Sequence, residues 1–293
     1  MLMAAFSDLT MQVMLPGGVS FPLAYRAWGK ADAKRSIMMV HGLTRNGRDF
    51  DRLAAHMAEQ GAFVLCPDMP GRGKSGWLDD AALYSYETYI LALHALMVQH
   101  PAAEWEWVGT SMGGILGMMM AAAPYGLIGS LVLNDIGEKV PANGMRRIAA
   151  YASKPPQFAS MEEGEAYLRA TFASFGLQSD EEWREFSAIS LQPLASGGFA
   201  LAYDPLLTKP LADYLDADKD MQDIDLSMFW SEVRCPVLLL RGEHSDILPQ
   251  PVAAAMGARH NCKFITIPDC GHAPALMDSA QIQLVSEWLN ARH

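Results

Sequence analysis

The stretch Gly109-Thr110-Ser111-Met112-Gly113 places a serine between glycines two residues away on each side, with an apolar run before it and a helical pattern after it. A turn of that composition tolerates strained backbone and close packing, so the serine hydroxyl stands clear at the tip of a strand. Such a hydroxyl is a weak nucleophile at neutral pH. It needs a base to take its proton, and the base needs a carboxylate to fix its tautomer and stabilise the imidazolium. Among eight histidines, His272 lies in the turn-rich Pro268-Asp269-Cys270-Gly271-His272-Ala273-Pro274, just after the last apolar run at 263–267, and is the expected base. The other histidines beyond Ser111 fit less well: His260 precedes that run, His293 is terminal, and both are expected at the surface, while His244 sits in the preceding loop.

Two aspartates compete for the acid. Asp246, in Arg241-Gly242-Glu243-His244-Ser245-Asp246-Ile247-Leu248-Pro249, follows the penultimate apolar run and ranks first on chain order and on its open loop; Glu243 comes too soon after the run. Asp135, in Leu133-Asn134-Asp135-Ile136-Gly137, also follows an apolar run and could reach the histidine from the other side. Stabilising a tetrahedral oxyanion takes two backbone N–H groups. Met112 supplies one by position, and Leu43, in His41-Gly42-Leu43, is the expected second, with Gly42 allowing a sharp turn and the His41 side chain serving as a structural hydrogen-bonder.

These residues must be held by a scaffold, and the chain has the material for one. Hydrophobic residues make up 51% and charged residues 19% of 293, enough for a large core without disorder. The short, mostly apolar runs at 36–40, 63–66, 105–108, 131–133 and 237–240 have Gly, Asp or Pro close behind, as buried strands do. Helical patterns alternate with them at 50–60, 84–99 and 112–123, and another closes the chain at 279–292. That alternation predicts an α/β protein with a doubly wound, mostly parallel sheet, its functional residues beyond the carboxyl ends of the strands. Residues 11–28 predict an antiparallel hairpin around Pro16-Gly17-Gly18. Residues 140–228 break the alternation with helical stretches at 161–175 and 180–189 and no convincing buried strand, as an inserted helical cap would. The expected division is therefore a core at 1–137, a cap at 138–230 and a return to the core at 231–293.

Taken together, His41-Gly42, the stretch from Asp68 to Ser75, Gly109 to Gly114, Leu240 to Asp246 and Gly271-His272 resemble the α/β-hydrolase family, in whose order they occur from residue 36 onward. The resemblance implies an eight-stranded core with a helical cap, Ser111, Asp246 and His272 as a catalytic triad, and Leu43 and Met112 as the oxyanion hole. It also implies that the Asp68–Ser75 loop is structural, with Arg72 in a scaffold ion pair. Glu138 departs from relatives with a similar Asn-Asp-Ile-Gly stretch, which often have proline there.

A serine nucleophile argues against the dehalogenase and epoxide-hydrolase branches, which attack with aspartate. The expected reaction is hydrolysis of a carboxylic ester of a small or medium, largely apolar molecule through an acyl-enzyme. C–C cleavage of a ring-fission keto acid, or lactone or thioester hydrolysis, would use the same triad, and the C–C reaction would need a cation for the substrate carboxylate, for which Arg45 is the candidate. A ligand receptor without catalysis is the alternative from a different class. The balance of 22 basic against 33 acidic residues, net −11, opposes binding to nucleic acid or anionic membranes. The first fifteen residues lack a signal peptide's basic start and apolar stretch, and no apolar run reaches membrane-spanning length, so cytoplasmic residence is expected. The four cysteines stand singly and are expected as reduced thiols. Gly71-Arg72-Gly73-Lys74-Ser75 ends like a phosphate loop, but Asp68 stands where that motif's first glycine belongs. No metal and no cofactor is expected, and the protein is expected to act as a monomer or homodimer. Aromatic residues of the cap region, including Tyr151, Phe158, Tyr167, Phe172, Phe175, Trp183 and Trp230, are expected mostly in the core, with one or two reaching substrate.

Overall fold

Runs that are mostly apolar, such as Ser36–Val40 and Phe63–Pro67, are buried along their whole length, as strands covered on both faces must be. A computed structural model describes residues 4–210, 213 and 222–292 and assembles these runs into one eight-stranded sheet. Its strands are β1 (Phe6–Met14), β2 (Ser20–Trp28), β3 (Ser36–Val40), β4 (Phe63–Pro67), β5 (Trp105–Thr110), β6 (Ile128–Asn134), β7 (Val237–Gly242) and β8 (Cys262–Ile267). Their spatial order is β1-β2-β4-β3-β5-β6-β7-β8. β1 and β2 pair antiparallel, as do β2 and β4; the other pairs are parallel. β1 starts five residues earlier than expected from sequence. It is an edge strand exposed over most of its length, so it carries no continuous apolar signal.

Alternate residues of each strand feed two apolar layers. Ile37 and Met39 of β3 pack in the layer that contains Leu53 and Met57 of α1 (Asp51–Glu59) and Val285 and Leu289 near the chain's end. Met38 and Val40 face the opposite layer, with Leu93 and Leu96 of α2 (Tyr86–Gln99) and Leu116 of α3 (Met112–Ala122). The register then brings the carboxyl ends level. Val40 lies beside Gly109, Thr110 beside Asn134, and Asn134 beside Leu240. The residues that follow these strands therefore share one edge of the sheet.

Between β6 and β7 the chain forms α4 (Ala142–Ala152), α5 (Met161–Thr171) and α6 (Asp180–Ser190). It also forms five short strands, against the expectation of none. Gln157–Phe158, Phe199–Leu201 and Leu191–Pro193 make a small antiparallel sheet, and Lys139–Val140 pairs with Ile224–Asp225. Two or three residues cannot display a period-two pattern, which is why the sequence hides them. α7 (Gln250–Gly257) and α8 (Ser279–Asn290) complete the core. Among the described residues no helix is long and apolar enough to cross a membrane. All four cysteines are free thiols, and burial pushes Cys235, Cys262 and Cys270 up to about 11. His293 lies outside the described residues.

Candidate active site

Ser111 occupies the single step between β5 and α3 with φ 52° and ψ −115°, a conformation that costs a non-glycine residue about 1–3 kcal/mol. Neighbouring backbone holds it there. Ser111 N–H donates to the Asn134 carbonyl at 3.0 Å, and its own carbonyl accepts from Gly114 and Ile115 at 2.8 and 3.0 Å. The flanking glycines are required by close approach: a Cβ on Gly113 would lie 1.9 Å from the Val40 carbonyl oxygen, and one on Gly109 2.3 Å from that of Gly113.

His272 Nε2 stands 2.9 Å from Ser111 Oγ, and His272 Nδ1 stands 2.7 Å from Asp135 Oδ2. A carboxylate beside Nδ1 keeps the ring proton there and leaves Nε2 to accept from the serine. The structure thus brings Ser111 and His272 together as the sequence predicts, but the carboxylate is Asp135, not Asp246. Asp135 is fully buried, with φ 56° turning its side chain inward, and its two oxygens accept from Gly242 N–H at 2.8 Å, Ser245 Oγ at 2.6 Å and the histidine. Ser245 in turn accepts from the N–H groups of Ile247 and Leu248. Asp246 points away and forms a bidentate ion pair with Arg147 of α4 at 2.5 and 2.8 Å, with 44% of its side chain exposed. Partial burial pulls its carboxyl upward, but Arg147 more than offsets that and holds it below the usual range. The loop after β7 therefore contributes donors, and the loop after β6 contributes the charge.

Asn134, Ser245 and Arg147 are participants that sequence reasoning missed. Asn134 Nδ2 donates to Thr110 Oγ1 and to the Pro274 carbonyl, tying the serine's strand to the histidine loop. A polar residue closing an otherwise apolar strand was the available signal.

The N–H groups of Leu43 and Met112 meet no acceptor among the described residues. The Leu43 carbonyl is fixed by Arg72 Nε at 2.8 Å, and Arg72 also donates to the Pro70 carbonyl and the Tyr89 hydroxyl. Arg72 makes no ion pair among the described residues, contrary to expectation; its buried guanidinium donates to neutral oxygens and to Met112 Sδ instead. His41 Nδ1 donates to the Gly42 carbonyl at 2.7 Å, and Nε2 accepts from Met69 N–H at 2.9 Å. Complete burial, then the charge of Arg72, lowers its pKa to about 3, so it is a neutral strut. Gly42 has no positive φ, and a Cβ there would make only ordinary contacts, the nearest 3.7 Å from Ser111 Cβ; the sharp-turn explanation for it does not hold. The Asp68 loop is structural, with its carboxylate accepting from Gly47 and Lys74 N–H groups.

Two clefts open from Ser111. One, a narrow cavity of about 40 Å³, is bounded by His272, Met277, Phe172, Phe175, Phe186 and Arg45. The other, of about 250 Å³, is bounded by Met112, Ile115, Met145, Leu207 and Ile247. Ser111, Leu43 and Ile148 border both. Tyr151, Phe172 and Phe175 line the first cleft, more aromatics than expected; Phe158 packs against Tyr167, and Trp230 lies beneath Arg259. Arg45 is also in the first cleft, but bound to Asp49 and Ser190. Glu243, His244 and Asp269 bring potential metal ligands within 4.8 Å of one another, all exposed on the surface and apart from these clefts.

A sequence model of the alpha/beta hydrolase family matches residues 37–286. The chain is 37% identical over 281 residues to a 3-hydroxybutyrate-oligomer hydrolase of Cupriavidus necator, covering 94% of this chain and 95% of that protein. It is 24% identical over 245 residues to an esterase of Mycobacterium tuberculosis, covering 79% and 73%. The crystal structure of an alpha/beta hydrolase from Novosphingobium aromaticivorans, 31% identical, superposes with a TM-score of 0.86 over 98% of this chain and 99% of that one. The arrangement of β3, β5, β6 and β7 around the serine turn and this similarity agree: the chain belongs to the alpha/beta hydrolase family and is a hydrolase.

Proposed function

We propose that the protein hydrolyses carboxylic esters through an acyl-enzyme on Ser111, with His272 as general base and acid and Asp135 as the group that orients it. The observation that carries this reading is the unbroken series Asp135 Oδ2, His272 Nδ1, His272 Nε2, Ser111 Oγ, with steps of 2.7 and 2.9 Å. His272 takes the serine proton as Oγ attacks the carbonyl carbon, and the oxyanion settles against the Leu43 and Met112 N–H groups. His272 returns the proton to the leaving alkoxide, and water then cleaves the acyl-enzyme by the same steps. No metal or cofactor enters this sequence. Segment 138–230 acts as the cap over the two clefts, and the substrate is a small molecule taken up by a cytoplasmic monomer or homodimer. Lactones and thioesters are within reach of the same chemistry.

The ester reading is favoured over C–C cleavage because the relative from Cupriavidus necator is named for a 3-hydroxybutyrate oligomer, whose units are joined by ester bonds. Turnover of short p-nitrophenyl esters, with fluorophosphonate labelling of the wild type that disappears in Ser111→Ala, is the expected result. Cleavage of a ring-fission dienoate without any ester turnover would overturn the ester reading, and an unlabelled wild type would favour a receptor.

A further inference from the structure

The two clefts differ in which catalytic group they contain. His272 borders the first and not the second, whereas Met112 borders the second and not the first. The tetrahedral carbon on Ser111 carries Oγ, the oxyanion, the acyl chain and the leaving oxygen. For the leaving oxygen to receive a proton it must come within hydrogen-bond reach of His272 Nε2. The leaving group therefore lies in the first cleft, and the acyl chain in the second, roomier one, whose walls at Ile115, Met145, Leu207 and Ile247 are apolar.

Arg45 marks the first cleft. Its Nε and Nη2 donate to Asp49 at 3.0 and 2.6 Å, its Nη1 donates to Ser190 Oγ at 2.6 Å, and its guanidinium carbon lies 3.8 Å from the Phe186 ring centroid. A guanidinium has five N–H donors. These contacts use three, so two N–H groups of a side chain that lines the cleft and is only 6% exposed are left without an acceptor among the described residues. Buried donors of that kind favour a ligand that brings an acceptor. The Phe186 ring and Asp49 hold the guanidinium in one orientation, and Asp49 offsets its charge, so a neutral carbonyl suits the site as well as a carboxylate does.

We infer that the protein is selective for esters whose leaving group is a hydroxy acid, or an ester of one, with Arg45 holding the leaving group's carbonyl or carboxylate while the apolar cleft beside Met112 holds the acyl chain. This rests on the ester-hydrolase reading and adds to it a substrate class and a polarity. In each turnover the bond between acyl carbon and leaving oxygen breaks and the serine ester forms. The serine proton passes through His272 to the departing hydroxy acid, and water releases the acyl group as a carboxylic acid. On a chain of hydroxy-acid units, the side of the cut that carries the free hydroxyl on cleavage is the one next to Arg45.

The test compares two esters with the same acyl chain, the butyryl ester of 3-hydroxybutyrate and the butyryl ester of 2-pentanol, which lacks the carboxylate. The wild type is expected to favour the first by tenfold or more in kcat/KM. Arg45→Met should bring that ratio close to one. Asp49→Asn leaves the guanidinium in place and removes the competing anion, so it should raise the ratio. Because each ratio is taken on one enzyme preparation, loss of folded protein cancels. A wild-type ratio near one, or a ratio unchanged in both variants, overturns the inference. Failure of the ester reading itself looks different: neither ester, nor p-nitrophenyl butyrate, would turn over at all.

Discussion

Neighbouring strands β6 and β7 each deliver an aspartate to the same edge of the sheet, and the two loops treat their aspartates in opposite ways. Asp135 is sealed from solvent and saturated by a backbone N–H, a serine hydroxyl and the histidine. Asp246 remains nearly half exposed and spends its charge on Arg147 of the inserted segment. A buried carboxylate with fixed donors acts on its neighbour in a low dielectric, whereas an exposed one is screened by water and salt. The comparison teaches that proximity to the sheet edge does not select which carboxylate reaches His272. What selects it is which loop can pay the desolvation of a charge with hydrogen bonds, and here the β7 loop, through Gly242 and Ser245, pays it on behalf of β6.

The contrast can be broken by substitution. Asp135→Asn keeps the shape but cannot hold the same tautomer of His272; kcat on a p-nitrophenyl ester is expected to fall by about 10⁴. Ser245→Ala removes a hydroxyl donor to the buried carboxylate, an interaction worth about 1.5–3 kcal/mol, and should cost roughly ten- to a hundredfold in kcat with a measurable loss of thermal stability. Asp246→Asn, by contrast, breaks an exposed pair and should change kcat by less than about threefold and stability by less than about 1 kcal/mol. If Asp246→Asn proved the more damaging of the two aspartate variants, the assignment would be reversed.

What the sequence made legible was what is encoded locally. The serine turn announces itself because Gly109 and Gly113 are demanded by contacts within a few residues and with the adjoining strand β3. The strands β3, β4 and β7 announce themselves because burial on both faces leaves their centres apolar. The carboxylate that reaches His272 was not legible for the opposite reason. Asp135 and Asp246 both follow apolar runs and both lie between Ser111 and His272 in the chain, so the order on which Asp246 is ranked first fits Asp135 equally well. The choice depends on the left-handed backbone at Asp135 and on Ser245, 110 residues away, which turns its hydroxyl toward it. The partners of Arg45 were hidden likewise, since Ser190 and Phe186 arrive from α6, far along the chain. The exposed β1 and the short strands between β6 and β7 lack enough buried positions to leave a pattern.

The most direct measurement is single-turnover acylation of Ser111 by an activated ester, followed by intact mass and peptide mapping in the wild type, Asp135→Asn and Asp246→Asn side by side. The account predicts an acyl adduct on Ser111 that forms at similar rates in the wild type and Asp246→Asn and several thousandfold more slowly in Asp135→Asn. An adduct on another residue, or equal acylation rates in the two aspartate variants, would contradict it.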